Sequence, residues 1–255
     1  PYLGDKNYLP YQDLINYVDK KGGLVFWSQP EVTEQTSEGR RFLSINFYTA
    51  SYPESLILTS GYTGFGVNMA LGTHIILTQG EWDNVLIGYC EGKRSQPVWV
   101  IGEVAYHDTG PIDSTQNIFF LPELSYKSVY EALRRGRLYV RYYLENNINI
   151  SLSDFHIEDP QNKDKFAFMG DEIEIKGKPL LRIKGNYIIN PPEDLRIEII
   201  RDGQIIKEFE FTPLEKAHPI RENSLTGFSN EGVNEGVFDL EFQDDSLEVL
   251  HKKSY

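Results

Sequence analysis

The sequence predicts an α/β domain over residues 1–146 and an all-β domain over residues 147–255. Up to about Asn146, apolar segments of strand length alternate with segments of helical spacing, which is typical of a barrel or an open α/β sheet. Beyond it, short alternating strands predominate and indicate an immunoglobulin-like β-sandwich. The chain has 255 residues, of which 40% are hydrophobic, so two medium-sized domains can each bury a core.

The first domain begins with a helix that leads into a strand. Apolar residues lie at helical spacing from Pro10 to Lys20, and Gly22-Gly23 provides a left-handed cap. Leu24 to Trp27 then predicts a buried strand. Two further apolar strands are predicted at Asn84–Tyr89 and Val98–Tyr106.

A second helix-to-strand passage closes this domain. Ser125 is a good N-cap for a helix that continues through Arg135, and Gly136 would end it. The six residues from Arg137 to Tyr142 then predict an extended segment.

The second domain is predicted from a series of short strands. A tight hairpin is expected at Asp202-Gly203, which favours a two-residue turn. Residues 215–234 are polar and predict a long surface loop. Residues 246–255 alternate like a strand and then stop, so we expect a domain truncated at its C-terminus and a chain that is part of a longer polypeptide. The predicted strands are 148–152, 172–175, 180–184, 195–201 and 204–211.

Composition excludes several classes of partner. The formal charge is −13 and the pI is about 4.9. Nucleic acids and anionic membranes bind proteins through clustered Lys and Arg, so we expect neither as a partner. No apolar run reaches the length of a membrane span. Cys90 is the only cysteine, so an internal disulfide is impossible, and its apolar neighbours indicate a buried small side chain.

A strand that ends on a histidine gives the main chemical indication. The segment Val98–His107 is largely apolar and ends with Ala105-Tyr106-His107. A metal hydrolase needs several oxygen or nitrogen ligands that converge from different strands, and a methyl group at Ala105 provides neither charge nor lone pair. These residues indicate a metal site that lacks part of its ligand set.

Three segments resemble the polymerase-and-histidinol-phosphatase (PHP) superfamily of metal-dependent phosphoesterases. GGLVFWSQPE, residues 22–31, is similar to a family strand in which a histidine occupies the position of Gln29. IGEVAYH, residues 101–107, resembles the family's closing Asp-x-His motif, with Ala105 at the aspartate position and His107 at the histidine position. ALRRGRLYV, residues 132–140, resembles a passage in members that carry a C-terminal β domain. Together they cover roughly the first 145 residues.

The resemblance implies a partial, distorted (β/α)7 barrel whose strand ends hold divalent zinc, manganese or iron. It also implies hydrolysis of a phosphoester or another ester, with His107 as the surviving metal ligand and Gln29 and Ala105 at substituted ligand positions. The family's first motif, His-x-His on an early strand, is absent from this sequence. The prediction is a PHP-like hydrolase homologue with a depleted metal site, inactive as the chain stands, with no catalytic residue assigned.

Each candidate also has an ordinary structural interpretation. Gln29 is either a weak amide ligand or a satisfied polar side chain, and His107 either binds a metal or anion or pairs with Asp108. The arginines near Gly136 either bind a phosphate or complement a helix dipole. Ser60–Gly66 is interpreted as a loop that borders the barrel mouth. The remaining histidines, including His156, show no paired spacing and are expected to be structural.

The competing hypothesis is a non-catalytic scaffold that binds a carbohydrate, a peptide or a protein partner through Tyr- and Trp-rich surface. A cluster of aromatic side chains around one cleft would favour this hypothesis. A partial barrel would also leave open sheet edges, from which we expect dimerisation or strand exchange.

Overall fold

The computed structural model describes residues 10–30, 34–40, 43–49, 52–68, 74–104, 112–143, 149–189, 194–211 and 234–245. The chain divides into two compact units, of which the first comprises residues 1–140, 201–204 and 252–255 and the second comprises residues 141–200 and 205–251. The predicted boundary between Asn146 and Asn147 stays a prediction, because residues 144–148 lie outside the described part of the chain.

The four described α-helices all belong to the first unit. None of the described helices is long and apolar enough to cross a membrane. The helices are α1 (Pro10–Lys20), α2 (Glu54–Leu58), α3 (Glu81–Cys90) and α4 (Tyr126–Arg135), and His74–Ile76 forms one 3-10 turn.

Thirteen strands lie in the described residues. In the first unit these are β1 (Phe26–Trp27), β2 (Glu34–Arg40), β3 (Leu43–Thr49), β4 (Gly64–Val67), β5 (Trp99–Gly102), β6 (Thr115–Phe119) and β7 (Leu138–Tyr142). The others are β8 (Asn149–Asp159), β9 (Asn162–Phe168), β10 (Leu180–Ile189), β11 (Leu195–Arg201), β12 (Gln204–Phe211) and β13 (Asn234–Gln243).

The predicted (β/α)7 barrel is wrong. The described parallel strands form one three-stranded sheet in the order β1-β4-β5, and the remaining sheets contain two or four strands. The prediction depends on apolar runs that would each form a barrel strand. One of them, Asn84–Tyr89, lies in α3, where Gly80 precedes the helix and Glu81 and Asp83 occupy its first turn. A short apolar run does not by itself distinguish a buried strand from a helix.

The central strand of this sheet lies in the segment that the sequence predicts to be a loop. Gly64 is glycine because a Cβ there would come within 2.3 Å of the Trp99 carbonyl oxygen in β5 and within 2.7 Å of the Phe26 ring in β1. Gly66 has a similar restriction from the side chain of Glu103. Gly64 is therefore needed for close strand packing, whereas Gly66 leaves room for the Glu103 side chain over the strand.

The core of the first unit lies around this sheet. Phe65 and Val67 from β4 are buried with Val98 at the start of β5, and the fully buried Tyr62 donates a hydrogen bond to the Leu56 carbonyl at 2.6 Å. The other members of the cluster are Ile15, Leu56, Ile75 and Val85. The sheet is thus held by α1, α2 and α3, whose apolar side chains converge on β4.

A side chain from β6 makes hydrogen bonds with the backbone of β5 at the edge of the parallel sheet. The Gly102 amide donates to Asn117 Oδ1 at 2.8 Å, and Asn117 Nδ2 donates to the Gly102 carbonyl at 2.9 Å. This pair of bonds occupies backbone groups that a neighbouring strand would otherwise use. Dimerisation or strand exchange stays a prediction.

Several local predictions are confirmed. Helix α1 has the predicted bounds and is followed by Gly22 with φ +72°. Helix α4 begins after Ser125, whose hydroxyl accepts from the Ser128 amide, and ends at Gly136 with φ +72°. The hairpin of β11 and β12 turns at Asp202 and Gly203, with φ +51° and +73°, as a type I′ turn requires.

The described strands of the second unit confirm its β-rich character. Four of them form an antiparallel sheet in the order β13-β10-β8-β9, and β11 and β12 form a hairpin. The strand predicted at residues 172–175 is wrong, because residues 171–175 have no regular secondary structure. The predicted loop lies largely outside the described residues, and β13 begins at its last residue, Asn234.

Candidate functional site

The candidate site lies where β1, β4 and β5 end at their carboxyl termini. Because these strands are parallel, the residues that follow them meet along one edge of the sheet. Ser28 and Gln29 follow β1, Asn68 follows β4, and Glu103 follows β5. We call this set the sheet-edge site.

Glu103 is the central residue of the sheet-edge site. Its amide donates to the Val67 carbonyl at 2.8 Å, which holds its backbone beside the end of β4. Its side chain lies across β4 at Gly66, where an added Cβ would be 1.9 Å from the Glu103 carboxyl carbon. Only a glycine at position 66 leaves the carboxylate room to lie over the sheet.

Two residues that follow β1 hold this carboxylate. Ser28 Oγ donates to Glu103 Oε2 at 3.0 Å. Gln29 lies close enough to lower the pKa of the Glu103 carboxyl through its backbone and side-chain amide groups. Burial raises the pKa of the Glu103 carboxyl above its ordinary value of 4.5, and the hydrogen bonds from Ser28 and Gln29 oppose that shift.

Gln29 adopts a left-handed backbone conformation. Its φ is +41°, and its amide donates to the Gly66 carbonyl at 3.1 Å. Non-glycine residues in this region are uncommon and tend to occur at functional sites, where surrounding contacts hold them in place. The amide side chain is thus fixed at the strand end, beside Glu103.

One aromatic side chain, that of Tyr52, lies near the carboxylate and contacts further aromatic rings. The Tyr52 hydroxyl donates to the Ser28 carbonyl, and burial, followed by the neighbouring Glu103 charge, raises the pKa of Tyr52. The Trp27 ring lies 5.6 Å from the Tyr52 ring and 5.0 Å from the half-exposed Tyr11 ring, measured between centroids. The Nε1 atom of Trp27 is buried without a hydrogen-bond partner in the described structure.

The structure locates one of the three residues predicted for the metal site. Gln29 lies in the sheet-edge site, and its interactions are those of a polar side chain that bonds a protein carboxylate. Ala105 and His107 lie outside the described residues. The roles predicted for all three stay predictions.

The described residues do not by themselves form the metal site that the resemblance implies. No three His, Cys, Asp or Glu side chains come together in the described ranges in a way that could hold a metal ion. The one carboxylate at the described strand ends, Glu103, already accepts hydrogen bonds from Ser28 and Gln29. A divalent cation needs several anionic or imidazole ligands, and the predicted ligand His107 lies outside the described residues, so the metal site stays a prediction.

The sequence patterns do not single out Glu103, Ser28 or Tyr52. A signal for Glu103 is present, since it is the one ionisable side chain between Val98 and Ala105 in an otherwise apolar strand. Ser28 lies 75 residues from Glu103, and no local pattern connects them. Comparison of the chain with protein-family models, curated proteins and solved structures gives no match.

Proposed function

We propose that this chain is a non-hydrolytic relative of the PHP-type phosphoesterases that binds a small ligand with hydroxyl donors at the sheet-edge site. The observation that carries the proposal is the hydrogen-bonded state of Glu103, whose carboxylate is held by Ser28 and Gln29 at the end of the parallel strands. A carboxylate held in this way keeps further acceptor sites for the hydroxyl groups of a ligand.

The Tyr52 side chain near the carboxylate, with the aromatic rings around it, favours a sugar-like ligand. Trp27, Tyr52 and Tyr11 lie next to each other, with Tyr11 half-exposed, and a carbohydrate combines an apolar ring face with hydroxyl groups. A carboxylate with fixed orientation accepts hydrogen bonds from such hydroxyls. This proposal develops the binding-protein hypothesis, and the PHP resemblance provides its evolutionary context.

The test combines ligand binding with an assay for hydrolysis. Thermal unfolding of the full chain is followed with a panel of mono- and disaccharides, and turnover is assayed with p-nitrophenyl phosphate and bis-p-nitrophenyl phosphate in Mn²⁺ or Zn²⁺. We expect stabilisation by at least one saccharide, lost in Glu103→Gln but kept in Glu123→Gln, an exposed glutamate of the same unit. Metal-dependent turnover that disappears in Glu103→Gln would overturn the proposal, as would a panel without any stabilising sugar.

A further inference from the structure

Strand β9 carries an inverted hydrophobic pattern. Phe166 and Phe168 are 51% and 50% exposed, whereas Ala167 between them is 5% exposed. A half-buried strand ordinarily turns its large apolar side chains inward, because each buried aromatic ring contributes to folding. The outward placement of two phenylalanines on one strand is typical of a binding surface.

The two rings form one cluster with a histidine from β8. Their centroids lie 5.2 Å apart, and the His156 ring lies 5.8 Å from Phe168 and 6.2 Å from Phe166. His156 Nδ1 is hydrogen-bonded with Asp154 Oδ1 at 2.7 Å, so the imidazole orientation is fixed. Strand register places His156 opposite Phe168 on the same face of the sheet.

Ion pairs continue this face across β10 and β13. Arg182 Nε lies 2.6 Å from Glu158 Oε1, and Arg182 also pairs with Glu241. Lys184 Nζ lies 2.8 Å from Asp239 Oδ2. The register aligns Arg182 with both His156 and Glu241, so these residues form cross-strand rows.

The charge arrangement decides which ligand fits. The carboxylates of this face are paired with Arg182, Lys184 or His156 in the described structure, so polar atoms whose charges are already balanced surround the two phenylalanines. An ionic partner would have to displace these pairs. A neutral ligand with an apolar face and many hydroxyl groups complements the rings and the polar atoms of the pairs without displacing them.

We propose that the β9 face, defined by Phe166, Phe168 and His156 with the adjoining ion pairs, is a carbohydrate-binding surface. The planes of Phe166 and Phe168 are 76° apart, so each ring offers its apolar face to a different sugar unit of a chain, and the sugar hydroxyls bond the side chains of β8 and β10. The surface belongs to the second unit and is independent of the sheet-edge site. A neutral glycan chain is the occupant that this combination selects.

Native affinity electrophoresis of the full chain tests the proposal. The gels contain dextran, hydroxyethyl cellulose or galactomannan as neutral glycans, and polygalacturonate as an anionic comparison. We expect at least one neutral glycan to retard the protein, with about tenfold weaker retention in the Phe166→Ala/Phe168→Ala double variant. Phe166→Tyr/Phe168→Tyr keeps the aromatic surface and is expected to keep the retention.

Control variants separate the β9 face from the sheet-edge site and from self-association. Leu124→Ala changes a leucine that is 92% exposed in the first unit and should leave retention unchanged. The Phe variants are also compared in the Glu103→Gln background, which removes the ligand binding proposed for the sheet-edge site, so that the retention measured there reports on the β9 face alone. Absence of retention by all three neutral glycans would overturn the proposal, as would retention that survives the double alanine variant. A dimer in light scattering that the double alanine variant dissociates would instead assign the surface to a second copy of the chain.

Discussion

The carboxyl carbon of Glu103 lies 1.9 Å from the point where a Cβ on Gly66 would stand. Glu103 and Gly66 therefore determine each other, since the side chain can lie over β4 only while position 66 has no side chain. The Gly66 carbonyl also accepts a hydrogen bond from the Gln29 amide, so Gly66 contacts both Glu103 and Gln29.

The first prediction compares alanine at the two glycines of β4. Gly66→Ala should displace only a flexible carboxylate and cost about 1 kcal/mol, whereas Gly64→Ala meets the Trp99 carbonyl at 2.3 Å and should cost about 3 kcal/mol. Urea unfolding of both variants measures the difference. Equal losses would contradict this account, because they would mean that the Glu103 side chain cannot move aside or that Gly64 is not packed against the Trp99 carbonyl.

The second prediction concerns the pH dependence of stability. The pKa of Glu103 in the folded protein is raised above 4.5. Its contribution to the free energy of unfolding is therefore fully present below the pKa of the unfolded state and is lost as the pH rises through the pKa of the folded state. Wild-type stability should therefore fall relative to Glu103→Gln as the pH increases above 4.5. Chemical unfolding of both proteins over a pH series measures this difference. A difference that stays constant with pH would contradict the raised pKa.

The third prediction tests the buried hydrogen bond of Tyr62. Its ring is fully buried and its hydroxyl donates to the Leu56 carbonyl at 2.6 Å. Tyr62→Phe should lower the free energy of unfolding by about 1–2 kcal/mol, because a polar group in the core loses a partner. Tyr17→Phe, at a position 63% exposed, is the matched control and should change it by less than about 0.5 kcal/mol. Similar values for both variants would contradict the account of the core.

The fourth prediction compares two left-handed glycines that differ in their surroundings. Gly92 and Gly136 have φ of +75° and +72°, but a Cβ meets nothing within 4 Å at Gly92 and lies 2.3 Å from the Trp99 indole at Gly136. Gly92→Ala should cost about 1 kcal/mol from backbone strain. Gly136→Ala should cost about 2 kcal/mol more, because the indole must move. Thermal unfolding measures both, and equal costs would place the indole away from Gly136.

Local chemistry explains which elements the sequence predicts. The residues that begin and end helix α4 flank it directly in the sequence, since Ser125 caps its first turn and Gly136 takes the left-handed conformation at its end. The turn at Asp202-Gly203 is equally local. Such elements are recognised because the residues that determine them are neighbours in the chain.

Non-local packing explains the errors. The strand β4 has the sequence of a loop because its glycines are required by Trp99 and Glu103, which come from another part of the chain. The Ser28–Glu103 hydrogen bond joins residues 75 positions apart, so it follows from parallel strand register and from no local motif. The barrel prediction depends on the number of apolar runs, and α3 shows that such a run can be a helix.

Metal content is the most direct test of the proposal that this chain is a non-hydrolytic binding protein. Plasma mass spectrometry is applied to the full chain, purified without chelator or affinity metal, beside a Gln29→His/Ala105→Asp variant that restores two family ligand positions. The proposal predicts far less than one zinc, manganese or iron per original chain. Stoichiometric metal in the original chain, lost in His107→Ala or Glu103→Gln, would contradict it and support a hydrolytic centre.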